Sequence, residues 1–419
     1  MRRKTSRGPR LAMTAAAATA LLGWSGAVLA QGSGDSDVQR QIKVLEQQLQ
    51  DLKQQVEENK AKAEEASAAS HAEDNADLKW HLGGFTSVDY SAGDQNGDHN
   101  SFGAGHFNPI FLVDYKDLVS FEGELEIATT TDGDTETMLE FANTNLFATD
   151  WLTFTAGKFL SPIGDFQQHQ HPSWINKLPD RPAGFVEDGG TEPLSEVGVM
   201  ARGAVPVGDM TATYALYVGN GPRMADNADG GVSLEGFGGD DNRSKAWGGR
   251  LGLHPLPYVT VGVSGMASRI RGNEGSGGDV SSADYRLEDV DAAFTRGAWD
   301  VRGEYIHASL DSLQSALSPT TAPVTIPSSS WRAWFAQAAY RLSGLTSDPI
   351  LGNVEPVVRY SQFHVSGLDD FKTTAEDRWT LGVNYWFAPS LVAKAAVEQR
   401  DFHNQSDEDL VRLQLAFGF

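Results

Sequence analysis

Basic side chains recur on one face of segments in which polar and apolar residues alternate. In a β-strand every second side chain points to the same side of the sheet, so such residues line one wall. Guanidinium and ammonium groups along one wall would bind anions, and the planar fork of arginine suits phosphate and carboxylates best. The candidates are Arg202, Arg250, Arg302, Arg359, Arg378, Lys394 and Arg412. Lys158 is a further candidate because it precedes the longest loop, although the alternation leaves its direction open.

Acidic side chains occupy the corresponding face of an earlier segment, at Glu122, Glu124 and Glu126. Opposing arcs of negative and positive charge would place a transverse field across an enclosed channel and would influence which ions pass. Alternatively, the arginines only neutralise nearby wall carboxylates. Both interpretations are compatible with the sequence.

The sequence contains no recognisable catalytic or metal-binding constellation. It has no cysteine, which excludes disulfides, thiolate metal sites and cysteine nucleophiles. A Gly-x-Ser-x-Gly motif is also missing, and the pair His169 and His171 has no evident third metal ligand. We therefore predict that the protein is not an enzyme and carries no metal and no cofactor.

The elements that position the charged side chains are predicted to be short strands. From residue 80 onward apolar residues recur with a period of two, for example at Val411, Leu413, Leu415 and Phe417. Alternating segments of about ten residues, separated by turn residues, are typical of transmembrane β-barrels. We identify about sixteen of them. They begin near residues 81, 106, 118, 137, 150, 195, 209, 245, 258, 283, 298, 330, 353, 376, 391 and 409.

The connections between these segments alternate between long and short. Lys116-Asp117 and Arg296-Gly297 are short turns, whereas the longest gap, residues 161–194, follows the fifth segment. Outer-membrane barrels have short periplasmic turns and longer extracellular loops, while a soluble β-sandwich has no reason to sort its loops by end. The sequence therefore predicts an all-β fold, an antiparallel transmembrane β-barrel of about sixteen strands, wide enough to leave an aqueous channel. Aromatic residues near segment ends would form its interfacial girdles: Trp151, Tyr258, Trp299, Trp386, Phe387 and Phe419.

Residues 1–79 are organised differently. Residues 1–30 combine a basic start, an apolar stretch and the small-residue end Val28-Leu29-Ala30, which predicts a cleaved secretory signal peptide. Residues 31–79 contain a heptad seam followed by a polar linker, and the seam predicts a short N-terminal coiled-coil helix and hence an oligomer. The alternative is a lone amphipathic helix lying on the barrel, which spans residues 80–419. The seam residues are Val38, Ile42, Leu45, Leu49, Leu52 and Val56.

The chain is acidic, with 56 Asp and Glu residues against 33 Lys and Arg residues. This balance argues against nucleic acid as a partner. Beyond residue 30 no run approaches the roughly 18 to 20 consecutive apolar residues of a membrane helix. The exported chain is therefore either soluble or inserted in a membrane as a closed barrel.

The signal sequence, the heptad seam, the alternating segments and the terminal Phe419 together resemble the phosphate-selective porin O and P family and related trimeric outer-membrane porins of Gram-negative bacteria. Residues 155–164 (TAGKFLSPIG) and 254–262 (HPLPYVTVG) look like that family's. The resemblance implies a homotrimer in which each barrel has its own pore, and an inward-folded constriction loop after the fifth strand, here residues 161–194. The last strand, ending at Phe419, looks like the signal that the barrel-assembly machinery recognises.

These features predict an outer-membrane porin, in contact with membrane lipid, for passive diffusion of small anionic or polar solutes, with a preference for anions such as phosphate or organic carboxylates. A general, non-selective porin is one alternative, because acids outnumber basic residues about two to one in residues 80–419. A structural tether that links the outer membrane to the cell wall is another. An outer-membrane hydrolase built on a barrel is less favoured because no catalytic constellation is evident.

Overall fold

The computed structural model describes residues 77–419, apart from residues 94–99, 104, 131–132, 187–190, 192, 226–231, 236–238, 241, 370, 372–374 and 404. The predicted signal peptide and coiled coil lie outside the described residues.

Sixteen long strands account for most of the described chain. Each corresponds to one predicted segment, and the predicted starts lie within three residues of the observed ones. The strands are β1 (Leu78–Gly93), β2 (His106–Tyr115), β3 (Val119–Thr129), β4 (Thr135–Thr149), β5 (Leu152–Leu160), β6 (Ser195–Val207), β7 (Met210–Gly219), β8 (Ala246–Leu256), β9 (Val259–Arg271), β10 (Ser282–Arg296), β11 (Trp299–Leu310), β12 (Ser329–Tyr340), β13 (Val354–Ser366), β14 (Glu376–Ala388), β15 (Leu391–Phe402) and β16 (Glu408–Gly418).

These strands form one closed antiparallel barrel. Each strand pairs with the next along the chain, and β16 returns to pair with β1, from Phe85 opposite Gly418 to Gly93 opposite Leu410. A closed sheet leaves no edge of unpaired backbone groups, which is the condition for a sheet to cross a bilayer. The predicted 16-stranded antiparallel barrel is thus confirmed.

The alternation in sequence produces two different faces, as β14 shows. Its outward side chains Trp379, Leu381 and Val383 are half exposed, whereas the intervening Arg378 and Thr380 are buried inside the barrel. An apolar exterior and a polar interior are what an outer-membrane barrel needs. The outward face is therefore the lipid-facing surface, and the inward face lines the lumen.

The two rims of the barrel differ in their connections. At one rim the turns are short, and Lys116, Gly208 and Gly297 adopt φ values of 53°, 63° and 62°, the left-handed conformation that tight hairpin turns require. The other rim carries the longer loops. Because outer-membrane barrels expose their longer loops to the outside, we refer to this rim as the extracellular rim and to the rim with short turns as the periplasmic rim.

The helices of the described residues are short. They are α1 (Phe166–His169) and the 3-10 turns Leu342–Gly344 and Leu351–Asn353, which lie in the longest turn of the periplasmic rim. Within the part of the chain that the structure describes, no helix is long and apolar enough to cross a membrane.

Candidate solute pathway

Between β5 and β6, the described residues of the segment 161–194 fold into the barrel and lie against its inner wall. The Gly164 amide donates to Ser264 Oγ of β9 at 3.0 Å, and the Ala183 amide donates to Ser361 Oγ of β13 at 3.1 Å. We call this segment the inner loop. Because it occupies part of the lumen, it narrows the path that remains open.

Apolar packing holds both ends of the inner loop. Phe166 and Phe185 contact each other and Phe335 of β12 edge to face, with ring centroids 5.2 to 5.9 Å apart. Ile163, Phe166 and Phe185 are at most 1% exposed. Burial of an aliphatic or aromatic side chain of this size contributes roughly 1.5–3 kcal/mol, so these residues hold the loop firmly.

Asp180 is the main polar anchor of the inner loop. Its Oδ2 is 2.8 Å from Arg378 Nη1, 2.5 Å from Arg400 Nη2 and 3.4 Å from Arg412 Nη2. Arg359 donates to the Asp180 backbone carbonyl at 2.6 Å. Burial alone would raise the pKa of the Asp180 carboxyl, but the charges of Arg378, Arg412 and Arg400 outweigh burial and hold the pKa well below its usual range. Asp180 therefore stays ionised and ties the loop to the four consecutive strands β13 to β16.

A second polar anchor joins the inner loop to β13 and β15. Lys394 of β15 donates to the backbone carbonyl of Asn176 at 2.5 Å and also to that of Ser173. Lys177 of the loop donates to Glu355 Oε1 of β13 at 2.9 Å. Since Lys177 and Glu355 are largely buried, each of these two charges depends on the other for a partner.

An upper cavity of about 530 Å³ lies beside the inner loop. Arg181 of the loop and Arg412 of β16 line it on one side. The strands β1, β3 and β4 contribute four of its acidic residues, Asp89, Glu124, Glu126 and Glu140, and the inner loop contributes Asp180. Groups of opposite charge thus share one open space, which is the arrangement that produces a transverse field.

A lower cavity of about 610 Å³ is lined by residues close to the short turns, among them Thr153 and His254. Arg202 of β6, Arg250 of β8 and Arg302 of β11 also line it. A guanidinium has five N–H donors, so it can bind a wall carboxylate and still offer donors to a solute.

Each arginine of the lower cavity has an acidic neighbour on the wall. Arg202 Nη2 is 3.7 Å from Glu122 Oε1, and Arg250 Nη1 is 2.5 Å from Asp291 Oδ2. Arg302 binds Asp300 and also lies 3.8 Å from Asp165 of the inner loop. The side chain of Arg202 is 43% exposed, against 10% for Arg250 and 20% for Arg302, so Arg202 is the most accessible of the three.

The seven basic candidates that the alternation places on the inner face do face the interior, but they form two groups. The first group anchors the inner loop: Arg359, Arg378, Lys394 and Arg412. The second group lines the lower cavity: Arg202, Arg250 and Arg302. The sequence analysis assigns the N–H donors of the first group to solutes, but in the structure these donors bind the inner loop.

Two other predictions require correction in detail. Lys158 is not brought to the lumen with the other basic residues: it shares the outward series of β5 with the exposed Phe154, and its Nζ donates to the Leu139 backbone carbonyl. Of the three acids, Glu124 and Glu126 line the upper cavity, whereas Glu122 is the neighbour of Arg202 rather than its opposite across the pore.

The two histidines of the inner loop have separate partners. His169 Nδ1 lies 2.9 Å from Asp165 Oδ1, whereas His171 Nδ1 contacts the Gln167 backbone carbonyl and its ring meets Phe85 edge to face. In the described residues, no group of three or more potential metal ligands is assembled. Burial of the imidazole, together with the charge of Arg181, lowers the pKa of His171.

The sequence prediction does not identify Arg400, and it places Asp180 and Arg181 only within the loop of residues 161–194, without a role as anchors. Arg400 shares the inward parity of Lys394 and Glu398, so the alternation could have found it. The inward arginines of β14 to β16 pair with Glu376 and Glu398 of the wall, and all three share the carboxylate of Asp180. Nothing in strand periodicity identifies which loop acid reaches them.

Part of the chain is similar in sequence to a known protein family. Residues 276–419 match the model of the family described as phosphate-selective porin O and P. The match covers about a third of the chain, and this part of the barrel is similar to that family. The family match and the barrel fold together support a location in the outer membrane, as predicted. A comparison with curated proteins finds no match to the sequence.

Solved structures of outer-membrane porins share the fold. The anion-selective porin from Comamonas acidovorans aligns with a TM-score of 0.53 and 12% identity, over 82% of this chain and 100% of that one. OmpF of Salmonella typhi, in complex with daunomycin, aligns with a TM-score of 0.51 and 12% identity, over 81% and 98%. A loop L8 deletion mutant of OmpT from Vibrio cholerae gives 0.50 and 12%, over 82% and 99%. At this identity the likeness establishes the fold alone.

Proposed function

We propose that this outer-membrane porin is a passive diffusion channel for small hydrophilic solutes, with a preference for anions such as phosphate or organic carboxylates. The anion preference is inferred from the residues that line the lower cavity. Three guanidinium groups, from Arg202, Arg250 and Arg302, line one solute-sized space together with a single lining acid, Asp165. Charge-assisted hydrogen bonds from such groups favour anionic solutes over neutral ones of the same size.

The carboxylates behind these arginines explain why the preference should be modest. Glu122, Asp291 and Asp300 already offset much of the positive charge. Transport needs binding that is strong enough to attract a solute and weak enough to release it. Partly neutralised arginines satisfy both requirements. Phosphate and carboxylates are the anions whose geometry best fits the planar guanidinium of arginine.

We also propose that the porin is a homotrimer whose final strand carries the signal for barrel assembly. The heptad seam of residues 38–56 and the family resemblance support the oligomer. For assembly, the supporting observation is that Phe419 closes the barrel: its amide donates to the Gly84 carbonyl at 2.9 Å and the Gly84 amide donates back at 3.0 Å.

Reversal potentials in planar bilayers test the anion preference. In a salt gradient, wild-type protein should show anion selectivity, and Arg202→Gln should move the reversal potential toward cation selectivity because it removes the most accessible guanidinium. The triple variant that also carries Arg250→Gln and Arg302→Gln should move it further. Phosphate and dicarboxylates should block the wild-type current more strongly than a neutral sugar.

Arg269→Gln is the matched control, because Arg269 pairs with Asp284 at 3.4 Å on the outward face near the extracellular rim. It should leave selectivity unchanged. A reversal potential that Arg202→Gln does not move would favour a general, non-selective porin. A folded barrel that carries no current would instead support the tether, with the barrel as an anchor only.

A further inference from the structure

The outward face of β10 to β13 carries a groove of about 690 Å³ that the solute pathway does not involve. Its floor follows one register row of small residues, in which Ala292 pairs with Gly303 and Gly303 pairs with Ala336. Gly303 has no side chain, so the backbone itself forms the floor at this point. A Cβ added to Gly303 would lie 3.1 Å from the Phe335 carbonyl oxygen. The row creates a depression in an otherwise bulky apolar surface.

Large side chains line the groove between this floor and its extracellular end. The next register row contains Val290, Tyr305 and Trp334, of which Val290 is 56% and Tyr305 44% exposed. Trp334 is fixed in place, since its Nε1 donates to Gln362 Oε1 at 3.1 Å and its ring contacts Tyr360 at 5.2 Å. Rigid aromatic walls above a small-residue floor suit an extended hydrocarbon chain.

A positive charge stands at the extracellular end of the groove. Arg332 of β12 lines it, is exposed, and has no hydrogen-bond or ion-pair partner among the described residues. His307 of β11 and His364 of β13 lie directly beside Arg332 in the register, and Glu288 of β10 is one strand further away, opposite His307. The guanidinium is therefore available to an external anion.

Along the membrane normal, Arg332 lies at the level of the lipid headgroups of the outer leaflet. Eight residues separate it along β12 from Tyr340, whose ring contacts Trp299 at the periplasmic rim. At about 3.4 Å per residue and a tilt of about 40°, this separation corresponds to about 20 Å along the membrane normal. The apolar band of such barrels is about 25 Å tall, so Arg332 lies near its outer edge.

We propose that this groove binds one phosphorylated acyl lipid of the outer leaflet, with the phosphate on Arg332 and an acyl chain that passes Tyr305 and Trp334 to the floor. The charge at the rim and the apolar floor match the two ends of such a lipid. A second copy of the chain is a poorer occupant, because it would have to bury Arg332 and supply a carboxylate. The proposal concerns the outer surface and does not depend on the selectivity of the channel.

Native mass spectrometry of the full-length protein in a neutral detergent tests the site. Titration with phosphatidylglycerol should give one adduct that survives activation, and phosphatidylcholine of the same chain length should be retained much less. Arg332→Gln should weaken the phosphatidylglycerol adduct about tenfold, as expected for loss of one charge-assisted contact. Ala292→Trp fills the floor and should weaken the adduct although Arg332 is present.

Arg269→Gln is again the control, since it removes an outward arginine that already has a carboxylate partner. It should retain the adduct. Equal retention of both lipids would overturn the proposal, as would an adduct that survives Arg332→Gln, or one that Arg269→Gln weakens equally. Dissociation of the oligomer by Arg332→Gln, with no change in lipid binding, would assign the groove to a second copy and also overturn it.

A second measurement uses barrels with an intact Arg332. Phosphatidylglycerol with brominated acyl chains should quench tryptophan fluorescence more than phosphatidylcholine with the same chains. Trp334→Phe should remove most of that difference because Trp334 forms the wall of the groove. An undiminished difference in Trp334→Phe would show that the preferred lipid binds elsewhere.

Discussion

Replacing Asp180 by asparagine should release the inner loop from the barrel wall. The side chain would keep its shape but lose the charge that faces Arg378, Arg400 and Arg412 at 2.8, 2.5 and 3.4 Å. Breaking a buried ion pair costs about 3–5 kcal/mol, because the remaining charges lose their partner. About a quarter of the Asp180 side chain is exposed, and Glu376 and Glu398 still neutralise part of the charge, so we expect the lower end, about 3 kcal/mol.

That loss would shift the equilibrium between docked and undocked loop roughly 150-fold. Hydrogen–deuterium exchange of the peptides that cover residues 166–185 measures it directly. Exchange there should rise strongly in Asp180→Asn while the barrel strands remain protected, and single-channel current should become noisier. Asp348→Asn is the control, because Asp348 lies in an exposed turn where its Oδ1 accepts the Ile350 and Leu351 amides.

Unchanged exchange in Asp180→Asn would refute this reasoning. It would show that the aromatic cluster of Phe166, Phe185 and Phe335 holds the loop without help from the ion pairs. Loss of the folded barrel in Asp180→Asn would contradict it differently, by showing that the loop and the barrel form one cooperative unit.

Three further predictions concern pH, assembly and oligomerisation. The lowered pKa of His171 means that its contribution to loop stability is complete above the ordinary histidine pKa of 6.5 and declines as pH falls toward the folded-state value. Exchange of the loop, corrected for intrinsic rates, should therefore rise between pH 7 and pH 5 in wild type but not in His171→Asn, and equal pH dependence would contradict this. Phe419→Asp should reduce the heat-modifiable folded form in outer membranes while Phe419→Tyr retains it, and normal assembly of Phe419→Asp would disprove the terminal-strand signal. Deletion of residues 38–56 should weaken the oligomer on native gels without unfolding the barrel, whereas an oligomer of unchanged thermal resistance would assign that segment another role.

The sequence predicted the barrel well because strand alternation is a local property. Each of the two faces of β14 can be assigned from neighbouring residues alone, since Trp379 and Leu381 must meet lipid and Arg378 and Thr380 cannot. The same logic correctly directed Arg202, Arg359 and the other basic residues inward. The number of strands then followed from counting segments between turns.

The partners of these arginines could not be predicted, because they depend on the path of an irregular loop. Asp180 lies 198 residues from Arg378 in sequence, and no period connects an inner loop to the wall it meets. The prediction therefore assigned Arg359 and Arg378 to solutes, whereas the structure uses them to anchor the loop. The direction of the Lys158 side chain is ambiguous for a local reason. Lys158 lies beside Gly157, whose φ of 125° interrupts the regular strand geometry, so the alternation does not fix the face on which Lys158 lies.

Single-channel recording from the purified full-length protein in a planar bilayer tests the central claim most directly. The inner loop narrows the lumen but leaves the upper and lower cavities beside it, about 530 and 610 Å³ in volume. We therefore expect discrete steps whose conductance grows in proportion to salt concentration and whose reversal potential in a gradient indicates a modest anion preference. A correctly folded barrel that inserts and shows no ionic current would contradict the assignment as a diffusion channel.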